Sequence, residues 1–324
     1  MAVRLSAEGY VRCGGVGWGG SVVRMTVDAM PVARAVCGAL TFVEETDSTN
    51  TLARTLVLEG AARPALAPAR DCVHAVVARR QTAGRGRLDH TWVSRPGESF
   101  TASFVVAVPR RIMSDGAVNG WLQMLAGLAT LDALEATLGA YGAASSEDAS
   151  DGLALKWPND VFLHGRKLGG ILAEVVAPPS DAASDGGADD VWSAVVFGVG
   201  LNLAVPADGL PTPQSTSLRL HFDLPGEATS EMLCDLLTAG VARALRSRLG
   251  RFLADPYAGA AALREEAVRR CHTLGRRAVA HFTDGSTLEG EAVRLASDAS
   301  LVIRDDAGTE RTVRTADVGV LPDA

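Results

Sequence analysis

The chain has 324 residues, 47% of them hydrophobic, and a formal net charge of −7, enough apolar material for one substantial core and a smaller second one. The acidic balance argues against nonspecific binding to a nucleic-acid backbone, which a basic surplus or stripe would signal. No apolar run approaches the ~18 residues of a membrane span and no signal peptide opens the chain, so neither membrane nor export is expected.

Residues 1–40 read as a flexible tail, because Cys13 to Ser21 (CGGVGWGGS) is too glycine-rich for a helix or packed strand. Thr41 to Glu45 then predicts a strand. The helix after it has Asp47 or Ser48 as N-cap, Leu52 and Leu56 on one face, and Gly60 as its stop. Strands are predicted over Val73 to Arg80 and Ser99 to Val108, and the long loop between them, with glycines but no apolar period, has the character of a functional loop. Apolar positions from Val118 to Leu138 cover most of a helix, which implies burial against a sheet with Trp121 in the core.

Further strands are predicted at Leu153 to Trp157, Val161 to Leu163, Gly170 to Val176 and Val191 to Val199. Ala140 to Asp151 and Pro178 to Asp190 read as disordered surface insertions. Helices follow at Ser230 to Leu249 and Pro256 to His272, the second capped by Asp255. From Arg276 the pattern changes to short alternating strands with turns at Asp284-Gly285, Ser297-Asp298 and Ala307-Gly308, which suggests a small SH3-like β-barrel. The expected architecture is therefore α/β: a main domain over residues 41–274 and a small domain over 275–324.

Five cysteines (Cys13, Cys37, Cys72, Cys234, Cys271), widely spaced and without C-x-x-C, give no disulfide framework or zinc knuckle and suit a reducing cytoplasm. The six histidines show no ligand spacing, so no metal site made by protein groups alone is expected. Lysine usage is more informative. Only Lys156 and Lys167 occur, against 29 arginines, and both fall within LKWPNDVFLHGRKLGGILAE, Leu155 to Glu174. An ammonium reaches a crowded reacting atom where a planar guanidinium does not fit, so Lys167 is singled out for chemistry. Lys156 equally suits a surface or structural role, and a codon bias toward arginine accounts for the scarcity itself.

In QTAGRGRLDHTW, Gln81 to Trp92, Gly84 and Gly86 allow close approach of backbone N–H groups to a ligand, and Arg85 and Arg87 offer forks to carboxylate or phosphate. The loop is neither a Walker A loop nor a dinucleotide fingerprint, and G-R-G-R alone is as often a solvated turn. Val195 to Leu203 (VVFGVGLNL) reads as a buried strand carrying Gly198, Gly200 and Asn202.

With TDSTN and KWPND…KLGGIL, these motifs stand in the order and spacing of biotin–protein ligases, which the chain resembles from about Thr41 to its C-terminus. The resemblance implies a mixed-sheet ligase domain of class II synthetase type with a C-terminal SH3-like domain. It also implies two half-reactions: biotin and ATP give biotinyl-5′-AMP, and a lysine of a carrier domain then takes the biotinyl group. Under it, Ser48, Thr49 and Gln81 hold the ureido ring, with Arg85, Lys167 and Gly170 also on the biotin side and Asn50 bracing the turn. Gly84, Arg85, Gly86 and Arg87 form the adenylate loop, with Trp92 against it. Lys167 and Arg87 are catalytic, and Asn159, Asp160 and Asn202 contact the nucleotide, whose magnesium lies near Asp160. The implied partner is the biotin carboxyl carrier domain of an acyl-CoA or pyruvate carboxylase.

Two departures stand out: Leu88, Asp89 and His90 where many members have a second basic residue, and Pro322 near the C-terminus where a basic residue is frequent. Nothing before Thr41 reads as a winged helix, so repressor function is not expected. A lipoate or octanoate transferase of the same architecture and a noncatalytic biotin-binding module are the alternatives. The loop is expected to be disordered and Arg87 exposed until an anion binds.

Overall fold

A computed structural model describes residues 29–62, 73–88, 90–143, 152–177 and 191–321, together with three short strands, β1 (Arg4–Leu5), β2 (Tyr10–Arg12) and β3 (Val23–Arg24), paired in one antiparallel sheet. The glycine-rich run Cys13 to Ser21, Cys72, Asp89, Pro322 and most of the two expected insertions lie outside the described residues. The tail expected over residues 1–40 ends earlier. Helix α1 (Pro31–Val36) opens with proline in its first turn, and its N–H groups at Val32 and Ala33 are taken by Asp235 at 3.1 and 2.7 Å. Met30 and Ala33 are buried, so this stretch belongs to the core.

The main body is a seven-stranded sheet in the order β4-β5-β8-β12-β11-β10-β9. Its strands are β4 (Ala39–Thr46), β5 (His74–Gln81), β8 (Ser99–Pro109), β9 (Leu153–Lys156), β10 (Asp160–Leu163), β11 (Arg166–Val176) and β12 (Trp192–Asn202). Only β4 and β5 run parallel. Helix α2 (Thr49–Leu58) crosses between those two. The loop after β5, expected to lack regular structure, carries a two-stranded ribbon of β6 (Gly84–Arg85) and β7 (Thr91–Trp92).

Period-two alternation sends the strands' side chains into two cores. Ala75, Val77, Phe100, Phe104, Phe197 and Val199 meet helices on one face. Val76, Ala78, Val105 and Val196 meet Leu52, Leu56 and Val57 of α2 on the other. After the short α3 (Arg110–Ser114), α4 (Trp121–Ala140) is apolar nearly all round because it lies between the sheet and two more helices, α5 (Ser230–Ala254) and α6 (Pro256–Arg269). It continues to Ala140, into the stretch expected as an insertion. No helix among the described residues is long and apolar enough to cross a membrane.

The C-terminal residues form an antiparallel five-stranded sheet in the order β16-β15-β14-β13-β17. Its strands are β13 (Arg277–His281), β14 (Thr287–Leu295), β15 (Leu301–Arg304), β16 (Glu310–Val313) and β17 (Asp317–Val320). Two buried tryptophans fasten its Ser297–Ala299 turn to the main body: Trp121 donates its indole N–H to Ser297 O at 2.7 Å, and Trp157 donates to Ala299 O at 2.8 Å.

Arg248 of α5 joins three helices, donating to both carboxylate oxygens of Asp132 on α4 and of Glu266 on α6 at 2.7 to 2.8 Å. The Arg248 hydrogen bond holds the Glu266 carboxyl below its ordinary range, so this stabilisation is present near neutrality and is lost as pH falls through that lowered value. Arg248→Ala is expected to cost about 2–3 kcal/mol in urea unfolding at pH 7. The deficit should shrink below about pH 4, where carboxylates protonate.

Candidate active site

The α2 face of the sheet changes character along the strands. Apolar pairs such as Val105 with Val196 give way to Ser103 opposite Gly198 and then Thr101 opposite Gly200. The second of these rows continues across β11, β10 and β9, so Thr101, Gly200, Gly170, Asp160 and Lys156 stand side by side on five strands. Glycines leave the floor open, and above it lies a cavity of about 930 Å³. A Cβ at Gly198 would sit 2.3 Å from Asn50 Oδ1, at Gly200 2.6 Å from the Trp92 ring, and at Gly169 2.0 Å from Gly200 O. Gly170 is less constrained, its nearest neighbour being Asp160 Oδ1 at 3.4 Å.

Lys167 reaches this face through a register irregularity. Asp160 pairs with Gly170 and Val161 with Gly169, but Phe162 then pairs with Lys167. The extra residue is Leu168, which is fully buried in the opposite core. In an unbroken ladder Leu168 would face the cavity and Lys167 would point away; the bulge exchanges them. Lys167 Nζ then lies 2.7 Å from Asp160 Oδ1, while Lys156 Nζ lies 3.1 Å from Asp160 Oδ2. Burial alone would raise the Asp160 carboxyl, but the two ammonium groups outweigh it and hold it below the ordinary carboxylate range. Lys156, its side chain 12% exposed, is therefore a partner of Asp160, the structural one of the two roles open to it.

At the α2 end, Gln81 Oε1 accepts from Thr49 N at 2.7 Å and Thr49 Oγ1 at 3.1 Å, satisfying the helix N-terminus from a neighbouring strand. Ser48 occupies the N-cap position without a capping bond from its side chain, and its N–H is taken by Asp47 at 2.6 Å. Asn50, expected to brace the turn, instead ties α2 to β11 through Leu172 O and Glu174.

The arginine loop crosses the cavity. Arg87, expected to be exposed, is half-buried and donates to Asn159 Oδ1 at 3.2 Å, while Asn159 Nδ2 donates to Ile171 O. Arg85 turns toward the rim and pairs with Glu174 at 3.3 Å. Trp92 lies over Gly200, and its buried indole N–H has no hydrogen-bond partner among the described residues. A buried donor left open in this way suits a ligand acceptor.

Asn202 donates to Thr216 O at 2.9 Å, which commits its amide nitrogen to the segment Thr212 to Ser217. Motif reasoning missed this segment, although Lys167 is clamped by it: its N–H donates to Gln214 O and its carbonyl accepts from Thr216 N, both at 2.8 Å. The C-terminal sheet also contributes to the wall through His281 and Asp317 to Val320.

All the sequence-selected residues Ser48, Thr49, Gln81, Arg85, Gly86, Arg87, Trp92, Asn159, Asp160, Lys167, Gly170 and Asn202 line this one cavity; Gly84 lies just outside its lining, packed under Trp92. Among the described residues its wall has five Lys or Arg residues (Arg85, Arg87, Lys156, Lys167, Arg276) against two carboxylates, Asp160 and Asp317, although the whole chain is acidic. Such a wall attracts a polyanion. Among the described residues no group of three or more His, Cys, Asp or Glu is placed to hold a metal, and both Asp160 oxygens are engaged by lysines, so this carboxylate does not suit a metal ion.

Residues 45–183 match the biotin/lipoate A/B protein ligase family. A biotin--[acetyl-CoA-carboxylase] ligase of Paracoccus denitrificans is 32% identical over 237 residues, covering 72% of this chain and 85% of the relative. The chain belongs to the biotin protein ligases. The corresponding ligase of Mycobacterium tuberculosis is 36% identical over 145 residues, but that stretch spans only 44% of each chain. The match to the bifunctional ligase/repressor BirA of Escherichia coli spans 33% of that protein. The fold is shared with the Aquifex aeolicus biotin protein ligase solved with biotin and ATP, with a TM-score of 0.58 and 18% identity over 88% of this chain and all of the other.

The steric argument for the cavity floor has a direct check. Gly198→Ala drives a methyl group into Asn50 and is expected to cost about 1–3 kcal/mol in thermal or urea unfolding. Gly116→Ala, where an added Cβ meets nothing within 4 Å, should stay within about 0.5 kcal/mol of wild type.

Proposed function

We propose that the protein is a biotin protein ligase that makes biotinyl-5′-AMP from biotin and ATP and passes the biotinyl group to a lysine of a biotin carboxyl carrier domain, in an acyl-CoA or pyruvate carboxylase. The observation that carries this reading is the cationic wall beside a glycine-paved, polar slot, a combination suited to a triphosphate next to a small carboxylic acid. Family membership and the names of the relatives support biotin over lipoate as that acid.

In this reading the ureido head of biotin lies against Ser48, Thr49 and Gln81, and its carboxylate approaches Lys167. A carboxylate oxygen attacks the α-phosphorus in line, the bond to the β-phosphate oxygen breaks, and pyrophosphate leaves with the electron pair. Lys167 offsets the repulsion of two anions and the charge that accumulates on phosphorus. Asp160 orients Lys167 through the 2.7 Å contact, and Arg87, braced by Asn159, covers the anhydride. Arg85, Gly84 and Gly86 shape the loop. Gly170 keeps the floor low, and Trp92 and Asn202 border the adenosine. Magnesium enters as part of the MgATP substrate, near Asp160 but not on it. In the second step a neutral carrier lysine attacks the acyl carbonyl and AMP departs.

The five-stranded sheet is read as an SH3-like barrel, the catalytic unit as running to residue 274, and the free cysteines Cys37, Cys234 and Cys271 as suited to the cytoplasm. Incubation of the full chain with biotin, MgATP and a carrier domain, followed by intact mass, should give one biotinyl adduct per carrier. An unmodified carrier would reject the reading.

Lys167→Arg keeps the charge but puts a planar fork where an ammonium fits, and it is expected to lower biotinyl-AMP formation roughly a hundredfold with the fold intact. Near-normal synthesis would show that charge alone suffices. Arg87→Gly removes one charge-assisted hydrogen bond and should speed escape of preformed biotinyl-AMP by about tenfold. Unchanged release after rapid dilution would show that this arginine does not hold the adenylate.

A further inference from the structure

At the α2 end of the cavity a run of polar side chains leads down into the sheet. Thr49 Oγ1 lies 3.1 Å from Gln81 Oε1 and 2.8 Å from Ser103 Oγ, and Ser103 Oγ lies 2.6 Å from Asn50 Oδ1. Thr49, Asn50 and Gln81 line the cavity, whereas Ser103 of β8 is fully buried and lies outside the lining. Both ends of the run are fixed as acceptors. Gln81 must present its oxygen, because Thr49 N, which can only donate, lies 2.7 Å from it. Asn50 must present its oxygen to Ser103, because its nitrogen faces Leu172 O at 3.2 Å and Glu174 Oε2 at 2.7 Å, and a carbonyl or a carboxylate can only accept. Glu174 is itself held in place by Arg85 at 3.3 Å and Arg54 at 3.5 Å.

Among the described residues, these three oxygen–oxygen contacts share two hydroxyl protons, those of Thr49 and Ser103. One contact is always a proton short. Ser103 donates to Asn50 Oδ1, the shortest contact, so the Thr49 hydroxyl serves either Gln81 or Ser103, and the contact it leaves sets lone pair against lone pair. In a buried network such a mismatch is costly, and a donor that enters from outside relieves it. An N–H reaching Gln81 Oε1 from the cavity lets the Thr49 proton turn to Ser103, and every contact then has its hydrogen.

We propose that Ser103, acting with an Asn50 amide anchored by Glu174, is a positioning residue that keeps Thr49 and Gln81 one proton short, so that the slot selects an acid whose ring carries an N–H donor. This assignment deepens the ligase reading and rests on it. The ureido ring of biotin has two such N–H groups, and the dithiolane ring of lipoate has none. Part of the choice between the two acids is therefore made by a serine that lies beneath the slot and does not line it.

The test compares ligands that differ in one hydrogen. Calorimetry on the full chain measures biotin against its two analogues in which one ring N–H is replaced by oxygen. The wild type should hold the weaker-binding analogue about a hundredfold less tightly than biotin. Ser103→Ala removes one contact and one proton, leaving the Thr49 hydroxyl to serve Gln81 alone. Asn50→Ala removes a contact and no proton. Each variant ends the shortage by a different route, and in each the gap between biotin and that analogue should narrow to about tenfold or less, while the ATP concentration for half-maximal adenylation stays within about twofold. Thr49→Ser, which keeps the hydroxyl, should keep the wild-type gap. A wild type that binds both analogues as tightly as biotin, or variants that lose affinity for biotin and the analogue by the same factor, would overturn the assignment. A wild type that shows the preference but forms no biotinyl-AMP would contradict the ligase reading and leave the assignment standing.

Discussion

Two ammonium groups on one buried carboxylate hold the centre of this molecule. An isolated charge at Asp160 would cost several kcal/mol to bury, and the attraction of Lys156 and Lys167 at 3.1 and 2.7 Å offsets that cost. The trio in turn fixes where the lysines sit, one on the edge strand and one on its neighbour but one. Because the carboxyl is held below its ordinary range, the clamp is intact at neutral pH and is lost only as pH falls through that lowered value. A guanidinium in either place would crowd a carboxylate already approached from two sides, which gives a physical reason for lysine in a chain that otherwise uses arginine.

The rest of the fold serves that arrangement. Apolar strands pack on α4 and α5 on one face, giving a rigid base, while the α2 face loses its bulk toward the cavity and is paved by Gly170, Gly198 and Gly200. The bulge at Leu168 is where the two requirements meet, since it delivers a leucine to the core and a lysine to the cavity from adjacent positions. The C-terminal sheet completes the wall, and its attachment through the indole N–H groups of Trp121 and Trp157 ties the site's roof to the main core.

Long periodic elements were legible because their periods are simple. The predicted strands and helices of the main body agree with the observed ones to within a few residues, as with Ser99 to Val108 against Ser99–Pro109. Less regular features were not. Helix α1 gets its end satisfied by Asp235, some two hundred residues away, and no local pattern announces that. The bulge is a change of register, invisible to a count of alternating residues. Motifs gathered almost all the selected residues around one cavity because each carries a distinctive side chain at a turn or strand end. Arg87 was misjudged as exposed because its partner, Asn159, is distant in sequence. The Thr212 to Ser217 clamp acts largely through backbone bonds, which leave no compositional signature.

The central claim is that this cavity joins a carboxylic acid to the α-phosphate of ATP. Exchange of labelled pyrophosphate into ATP, catalysed by the full chain with magnesium, measures that step without a carrier protein. The account predicts exchange that depends on biotin and is absent with lipoate or with no acid. Exchange that proceeds equally without biotin, or that lipoate supports as well, would contradict it.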